Sequence, residues 1–360
     1  MRIEAERPLR AAVVGVGNIG AVHVRALSAM SGAQIVALCD IDPAHLAAGQ
    51  DLAMASAAQA GHRPTGYAEL EEMLEHERPD VLHICTPHYL HAPMATQALG
   101  RGARVLMEKP MAMDMTEGEA LARTQEASGL EAGLCFQNRY RRTAIEAKRI
   151  VSSNDYGRLL GIRAFLSWKR DAAYYASGGW RGRWATEGGG LLINQAIHTL
   201  DLIQWIGGGC VGAKAIGGNL SLEGVIEVED TAVVAMDLPG GARGMLFATS
   251  SHMEDAPVEI EIVCEGCRLR MVNDLVLFER KGGGASRELS GRVLASDSEA
   301  PSDARRPYWG SGHAALISDF YDCLRTGRPF ALNLREGLKT LAILDRAYSC
   351  IGRPKRIQGD

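Results

Sequence analysis

Short apolar runs alternate with segments of helical spacing over the first third of the chain. Continuous apolar strands separated by helices are typical of a parallel sheet that is covered on both faces. Asp42 followed by Pro43 has the pattern of a helix N-cap and first turn. Strands are predicted at residues 9–15, 34–39, 81–85, 104–107 and 132–136, with the first helix at about 18–30.

The pattern changes after about residue 126, where β-rich segments follow one another through short glycine-containing links. Pro239–Gly241 and Glu265–Cys267 have the composition of hairpin turns. The pattern therefore predicts a mostly antiparallel sheet. Its strands are expected at residues 158–168, 228–238, 242–251, 258–263 and 268–278, with helices at 144–152, 190–206, 312–325 and 335–351 and a surface loop at 281–307.

A chain of 360 residues is too long for one compact core and suits two domains. We predict an α/β fold: a doubly wound, Rossmann-type parallel sheet over residues 1–126, then an α/β domain with a large, mostly antiparallel open sheet over residues 127–360. The apolar content of 46% is ordinary for globular proteins.

Charge and composition narrow the choice of ligands. The net charge of -4 provides no basic field for nucleic acid or an anionic membrane, which favours a small-molecule ligand. The charged first ten residues show no secretory signal, and no apolar run is long enough to span a bilayer. We therefore expect a cytoplasmic protein whose eight cysteines are thiols. Cys264 and Cys267 are expected to flank a turn between two strands.

Three glycines, Gly15, Gly17 and Gly20, form a GxGxxG pattern between a predicted strand and a predicted helix. Such glycines permit a tight turn, a close approach of backbone to pyrophosphate and close helix–strand packing, and the helix N-terminus favours anions. Asp40 ends the next strand, where a carboxylate accepts hydrogen bonds from ribose hydroxyls and repels a 2′-phosphate. The sequence predicts a dinucleotide site that prefers NAD to NADP, with Asn18 and Ile19 inside the same turn.

Two further strands end in residues that suit a ligand site. Thr86 and Pro87 follow one strand, and Glu108, Lys109 and Pro110 follow the next. Ligands of open parallel sheets gather at the carboxyl ends of the strands, so these residues lie at the expected edge. A lone lysine at a strand end is most often a solvated charge, and only its neighbours favour a catalytic role.

A GGG run at residues 188–190 precedes a segment of helical apolar spacing. Asn194, His198 and Asp201 follow at steps of four and three and are predicted to share one helical edge. They form either a buried structural network or a site in which His198 is a general base near neutral pH and Asn194 orients a hydroxyl group.

In this order, these motifs resemble the Gfo/Idh/MocA family, named for glucose–fructose oxidoreductase and inositol dehydrogenase. The resemblance extends over nearly the whole chain, and EKP combined with GGGxxxxxxxH is far more specific than either motif alone. It implies NAD(P)-dependent oxidation or reduction of sugars, cyclitols and related compounds. It also implies a second domain whose open sheet often mediates oligomerisation, here a homodimer or homotetramer.

The resemblance also implies roles for single residues. Lys109 would contact the reacting hydroxyl group and the nicotinamide ribose, and His198 would accept the hydroxyl proton. The nicotinamide side would be lined by Glu108, Thr86, Pro87 and His91, and the peptide bond before Pro110 is often cis in the family. Many members carry Asp where this chain has Asn194, and Asn is usual where it has His88.

For the other candidate substrate contacts, the sequence leaves two interpretations open. Arg139 either contacts the substrate or pins the domain interface. Trp180 and Arg181, in an aromatic and cationic segment, either bind a sugar face or pack against their own domain. No third ligand accompanies His88 and His91, so no metal site is predicted.

The motifs favour a dehydrogenase in which Lys109 and His198 act as an acid–base pair on a secondary alcohol or ketone of a sugar, sugar derivative or cyclitol. Two alternatives use the same fold. An NAD-using glycosidase would begin with the same oxidation, and a non-catalytic NAD-binding sensor would keep only the cofactor site.

Overall fold

The computed structural model describes residues 7–56, 62–272, 274–281, 292–297 and 312–353. Its described residues form two compact units. The first comprises Met1–Gln137 and Ser302–Leu338, and the second comprises Asn138–Pro301 and Lys339–Asp360. None of the described helices is both long and apolar enough to cross a bilayer.

The first unit contains a six-stranded sheet in which all pairings between neighbouring strands are parallel. Its order is β3-β2-β1-β4-β5-β6, so the direction of winding reverses between β1 and β4. Ligands bind at such a switch point in doubly wound folds. The strands are β1 (Leu9–Val14), β2 (Ala33–Cys39), β3 (Thr65–Tyr67), β4 (Val81–Ile84), β5 (Arg104–Met107) and β6 (Ala132–Leu134).

Helices follow these strands as the apolar pattern predicts. The central strands are almost fully buried, because helices of both crossover sets cover the sheet. Asp42 caps its helix by accepting the Ala44 N–H, as expected. The helices are α1 (Asn18–Ser28), α2 (Pro43–Met54), α3 (Leu70–Glu77), α4 (His88–Gly100), α5 (Met115–Ser128) and, from the C-terminal part of the chain, α10 (Gly312–Thr326).

The second unit contains an eight-stranded, mostly antiparallel sheet of order β14-β13-β12-β11-β7-β10-β9-β8 among the described residues. Only β7 and β10 pair in parallel. Both predicted hairpin turns are confirmed, and Cys264 and Cys267 flank one of them. The strands are β7 (Leu159–Ser167), β8 (Gly212–Gly218), β9 (Thr231–Asp237), β10 (Arg243–Thr249), β11 (Glu259–Cys264), β12 (Cys267–Val272), β13 (Leu275–Arg280) and β14 (Arg292–Ser296).

Three predictions of local structure were wrong in this region. Residues 268–278 form two paired strands, with Asp274 in a left-handed turn conformation between them. The expected surface loop at 281–307 contains β14, which pairs with β13, and most of the remainder lies outside the described residues. The predicted helix at 190–206 is two helices. The helices of this part of the chain are α6 (Arg142–Ser153), α7 (Ala172–Ala176), α8 (Leu191–Asn194), α9 (Ile197–Ile206) and α11 (Leu334–Ile351).

Candidate active site and dinucleotide site

The glycine turn after β1 leaves space above the N-terminus of α1. Gly15 has φ +81°, and a Cβ there would lie 2.7 Å from the backbone carbon of Cys85. A Cβ on Gly20 would lie 2.0 Å from the Gly15 oxygen, so this glycine allows the helix to pack on the turn. At Gly17, by contrast, the nearest described atom to an added Cβ is 4.0 Å away. This open position lies where a pyrophosphate would meet the first N–H groups of the helix.

Asp40 follows β2 at the same edge of the sheet. Its Oδ2 accepts the Val16 N–H at 2.7 Å and its Oδ1 accepts the Asp42 N–H at 2.9 Å. These hydrogen bonds fix a carboxylate one strand away from the glycine turn. The arrangement fits the adenosine ribose of NAD and disfavours the 2′-phosphate of NADP, because two negative charges would meet there.

The loop that carries Lys109 is tied to the loop after β4. The Lys109–Pro110 peptide bond is cis, as expected from the resemblance. His91, 1% exposed, lies with Nδ1 2.7 Å from the Pro110 oxygen and Nε2 2.8 Å from the Thr86 oxygen. A neutral ring donates to one of these carbonyls and an imidazolium donates to both. Burial lowers the pKa of His91, whereas the two carbonyls and Glu108 favour its charged form.

Glu108 lies in the interior of the first unit, at the end of a chain of buried rings. His23 Nε2 and His313 Nε2 each lie 3.1 Å from Glu108 Oε1. His23 Nδ1 lies 2.9 Å from His83 Nδ1, and His83 Nε2 lies 3.0 Å from the Tyr321 hydroxyl. The carboxylate Oε2 also accepts the Lys109 N–H at 3.3 Å, so the chain ends beside the backbone of Lys109.

The Glu108 carboxylate determines which group donates each hydrogen bond in this series of buried rings. Burial raises the pKa of Glu108, but the hydrogen bonds from His23 and His313 outweigh it and hold the pKa well below the usual range. An ionised Glu108 only accepts, so His23 donates through Nε2 and accepts at Nδ1 from His83. His83 then accepts from Tyr321. Burial lowers the pKa of both His23 and His83, in agreement with neutral rings.

Sequence reasoning did not single out His23, His83 or His313. One ligand atom from each of His23, Glu108 and His313 lies within 4.8 Å of the other two, close enough to hold a metal ion. The same atoms are also matched as hydrogen-bond donors and acceptor. Their separation of 85 and 205 positions along the chain gave no local signal.

In the second unit, the GGG segment packs too closely for side chains. A Cβ on Gly189 would lie 2.0 Å from the Tyr348 hydroxyl, and one on Gly190 would lie 2.2 Å from the Glu229 oxygen. The helix that follows is interrupted, since α8 ends at Asn194 and α9 begins at Ile197. Asn194 and His198 therefore lie on different helices, and both are half-buried. The prediction of one continuous helix for all three residues was therefore wrong, although His198 and Asp201 both lie on α9.

Asp201 forms a buried ion pair within the same unit. Arg139 donates to both carboxylate oxygens, through Nε at 2.7 Å and a terminal nitrogen at 2.6 Å. Thr340 and Gln204 also donate to Asp201. Of the two interpretations left open for Arg139, the structure shows a guanidinium that is 6% exposed and bound inside its own unit.

The aromatic and cationic segment before the GGG run is also ordered by its own unit. The Arg181 guanidinium lies 4.6 Å from the centre of the Trp180 ring and 5.1 Å from that of Tyr174. Thr186 donates to the Trp180 oxygen at 2.6 Å. Both Trp180 and Arg181 remain half-buried, so part of each side chain is still accessible.

Two buried carboxyl groups support this region. Glu187 accepts from the Gly182 N–H and from Asn194 Nδ2, each at 2.5 Å. Glu229 accepts from the N–H groups of Gly190 and Leu192 and from the Tyr348 hydroxyl. Burial raises the pKa of both to about 7, although these hydrogen bonds oppose the shift. Sequence reasoning did not single out either residue.

Comparison with known proteins identifies both parts of the chain. Residues 9–134 match the family model described as the GFO_IDH_MocA oxidoreductase family, NAD-binding Rossmann fold. Residues 144–270 match the model of the GFO/IDH/MocA C-terminal domain.

Curated relatives cover parts of the chain. A glycosyl hydrolase family 109 protein of Shewanella woodyi is 29% identical over 192 residues, which are 51% of this chain and 40% of the relative. The chain therefore spans less than half of that relative. The NAD(+)-dependent scyllo-inositol 2-dehydrogenase of Bacillus subtilis is 26% identical over 266 residues, 71% of this chain and 72% of the relative.

A solved structure resembles the whole chain. The WlbA dehydrogenase of Chromobacterium violaceum, in complex with NADH and UDP-GlcNAcA, has a TM-score of 0.82 at 27% identity and covers 97% of this chain and 95% of its own. With both domain models matched, the chain belongs to the Gfo/Idh/MocA family of oxidoreductases, and its first unit is that family's NAD-binding Rossmann domain.

Proposed function

We propose that this protein is an NAD-dependent dehydrogenase that acts on a secondary alcohol or ketone of a sugar, sugar derivative or cyclitol. One observation carries the proposal. The glycine turn follows β1, Thr86 lies beyond the end of β4 and Lys109 beyond the end of β5, and these three strands are neighbours in one parallel sheet. Lys109 thus follows a strand that ends at the same edge of the sheet as the dinucleotide cradle.

NAD⁺, when bound, supplies a hydride acceptor, and the residues of the chain handle the proton. In the proposal His198 accepts the hydroxyl proton, and the Lys109 ammonium offsets negative charge that develops on the same oxygen. Asn194 holds the hydroxyl group but cannot take its proton, so Lys109 and His198 carry the acid–base work.

The relatives agree on the class of substrate more than on one compound. They include an inositol dehydrogenase, and a WlbA dehydrogenase solved with a nucleotide-linked sugar acid. We therefore propose a screen of sugars, inositols, sugar phosphates and nucleotide-linked sugars at fixed NAD⁺, following absorbance of the reduced nicotinamide. Oxidation of at least one polyol or sugar is the expected result.

The acid–base assignment is tested on the best substrate of that screen. General acid–base catalysis contributes about 10²–10⁴-fold, so His198→Ala is expected to lose turnover of that order. Lys109→Ala should lose at least as much. The exposed residues His252 and Lys214 supply matched controls, His252→Ala and Lys214→Ala, which should keep wild-type rates. Unchanged turnover in either site variant, with NAD still bound, contradicts the assignment.

A second candidate function has one specific observation behind it, the match to a glycosyl hydrolase family 109 protein. Oxidation at one sugar carbon would then permit elimination of a glycoside leaving group, and the nicotinamide would be restored in the same cycle. Release of a chromogenic aglycone without net NADH favours this activity, whereas net NADH from a free sugar or polyol favours the dehydrogenase. Tight NAD binding without turnover on either panel would instead indicate a sensor.

A further inference from the structure

The side chain of Asn194 is held by a carboxyl group that neither family motif includes. Asn194 Nδ2 donates to Glu187 Oε1 at 2.5 Å, and Glu187 is fully buried. The other carboxyl oxygen of Glu187 accepts the Gly182 N–H, also at 2.5 Å. A buried carboxylate that accepts a hydrogen bond at each of its oxygens is fixed in position, and it fixes its partners in turn.

This contact determines which end of the amide faces Glu187. An amide side chain has an NH₂ end that donates and a carbonyl end that accepts, and a carboxylate can only accept. When Glu187 is ionised, the NH₂ group of Asn194 must therefore face it, which is the orientation in this structure. Its carbonyl oxygen lies on the opposite side of the amide, where it can only accept a hydrogen bond.

We propose that Glu187 is a specificity-determining residue, which presents Asn194 to the substrate as a hydrogen-bond acceptor and so selects a donor group, a hydroxyl or an N–H, at that position. The proposal rests on the proposed function, in which Asn194 contacts the substrate. In family members with Asp in place of Asn194, the ionised side chain accepts hydrogen bonds whatever its neighbours. In this chain the neighbouring Glu187 carboxylate binds the NH₂ end of the neutral amide, so the carbonyl end faces the substrate and also accepts.

Glu187 also joins Asn194 to the aromatic and cationic segment. Gly182, whose N–H it binds, directly follows Arg181, and a Cβ on Gly182 would lie 2.7 Å from the Ile226 side chain. The tight packing leaves the loop little freedom. One carboxylate therefore sets both the polarity of Asn194 and the position of the loop that carries Trp180 and Arg181.

The charge around Glu187 makes this polarity sensitive to pH. Burial and Glu229 favour the protonated form of Glu187, and Arg181 favours the ionised form. The hydroxyl groups of Tyr175 and Tyr348 are coupled to it and are neutral, because burial raises their pKa values. Below its pKa, Glu187 gains an O–H that can donate to the Asn194 oxygen, and the amide is then free to turn over.

The substitution Glu187→Gln tests the proposal because it should reverse which end of the Asn194 amide faces the substrate. The introduced glutamine keeps its oxygen on the Gly182 N–H and turns its NH₂ group to Asn194. Asn194 must then present its carbonyl to that glutamine and its NH₂ group to the substrate. The donor group of the substrate then has no acceptor. Leaving this buried group unpaired should lower kcat/KM by about tenfold to hundredfold. NAD affinity should not change.

A second substitution should rescue the first. In Glu187→Gln with Asn194→Asp, the aspartate accepts from the introduced glutamine through one oxygen and presents the other to the substrate, so kcat/KM should return to within about threefold of wild type. Asn194→Asp alone places two carboxyl groups in contact, which share one proton, and the pKa for the loss of that proton is strongly raised. Once the proton is lost at higher pH the two carboxylates repel each other, so the activity of this variant should fall as pH rises. Glu223→Gln, at an exposed position, is the matched control.

The outcomes separate this proposal from the proposed function. A double variant that is as weak as Glu187→Gln, or a Glu187→Gln enzyme with wild-type kcat/KM, overturns the role of Glu187 while Lys109 and His198 can still prove catalytic. A readout without turnover is the side-chain amide signal of Asn194 in ¹H–¹⁵N spectra. In wild type it should shift downfield and titrate with Glu187, and in Glu187→Gln this titration should disappear; a wild-type signal that does not respond to pH overturns the proposal.

Discussion

At the residue scale, the buried carboxyl groups show how tertiary contacts change the chemistry of one side chain. Glu229 is 1% exposed and accepts hydrogen bonds from the backbone of the GGG segment and α8 and from the Tyr348 hydroxyl. Its pKa is nevertheless raised from 4.5 to about 7, because burial outweighs these bonds. The cost of burying the charge therefore appears as a pH dependence of stability.

A carboxyl group with a higher pKa in the folded protein than in the unfolded chain binds its proton more tightly when folded. Its contribution to stability is present below the unfolded pKa and is lost as pH rises toward the folded value of about 7. At about 1.4 kcal/mol per pKa unit, Glu229 should remove about 2–3 kcal/mol of unfolding free energy between pH 5 and pH 8.

We expect Glu229→Gln to lack this contribution, because glutamine does not titrate. Denaturant unfolding measures this at pH 5 and pH 8. The unfolding free energy of wild type minus that of the variant should decrease as pH rises. Glu223→Gln should follow the wild-type curve. Equal pH dependence in wild type and Glu229→Gln would show that Glu229 does not titrate in this range.

At the scale of elements, the glycine turn and α1 contain two glycines with different roles. One is needed for folding and the other for cofactor binding. Gly20 supports the packing of α1, since its added Cβ would meet the Gly15 oxygen. Gly17, at the N-cap of α1 with φ -66°, has room for a Cβ. The two glycines belong to one motif and serve different physical needs.

We predict that Gly20→Ala destabilises the protein by about 1–3 kcal/mol through overpacking and weakens NAD binding with it. Gly17→Ala should leave the unfolding free energy of the apoprotein nearly unchanged but weaken NAD binding by about tenfold or more, about 1.4 kcal/mol, because the methyl group occupies the space for phosphate. Denaturant unfolding and calorimetric titration with NAD measure the two effects.

The matched control is Gly100→Ala, at the end of α4, where no described atom lies within 4 Å of an added Cβ. It should change neither stability nor NAD affinity appreciably. Wild-type NAD affinity in Gly17→Ala would mean that the pyrophosphate does not lie over this turn.

At the scale of the whole molecule, the eight-stranded sheet leaves one face exposed. Phe165, Phe247 and Val233 are aligned across the neighbouring strands β7, β10 and β9. Phe165 is 40% exposed and Val233 is 39% exposed, although their strand neighbours are buried. Contiguous apolar side chains on an exposed sheet face are typical of a protein interface, and we propose that this face joins copies of the chain into a homodimer or homotetramer.

If so, Phe165→Asp should shift the protein toward a monomer, because a charge would be buried without a partner at the interface. Sedimentation or light scattering at several concentrations measures the mass. The control is Met253→Asp, at a residue 88% exposed and outside the strands, which should keep the wild-type mass. A wild-type protein that is monomeric at all concentrations would remove the proposal.

The sequence by itself determined the parallel sheet, the glycine turn, the position of Asp40 and the cap at Asp42. Each follows from local rules: apolar periodicity, glycine conformation and side-chain capping all act over a few residues. The order of Lys109 and the GGG segment along the chain was also readable, and it supported the family assignment.

Only the tertiary structure decided which polar groups share a buried environment. The break between α8 and α9 separates Asn194 from His198 and Asp201, although their spacing fits one continuous helix. Glu187 and Glu229 acquire their raised pKa values from burial, and His23, His83 and Glu108 meet through contacts between distant segments. Desolvation and long-range hydrogen bonds depend on distances in space, which spacing along a single chain does not encode.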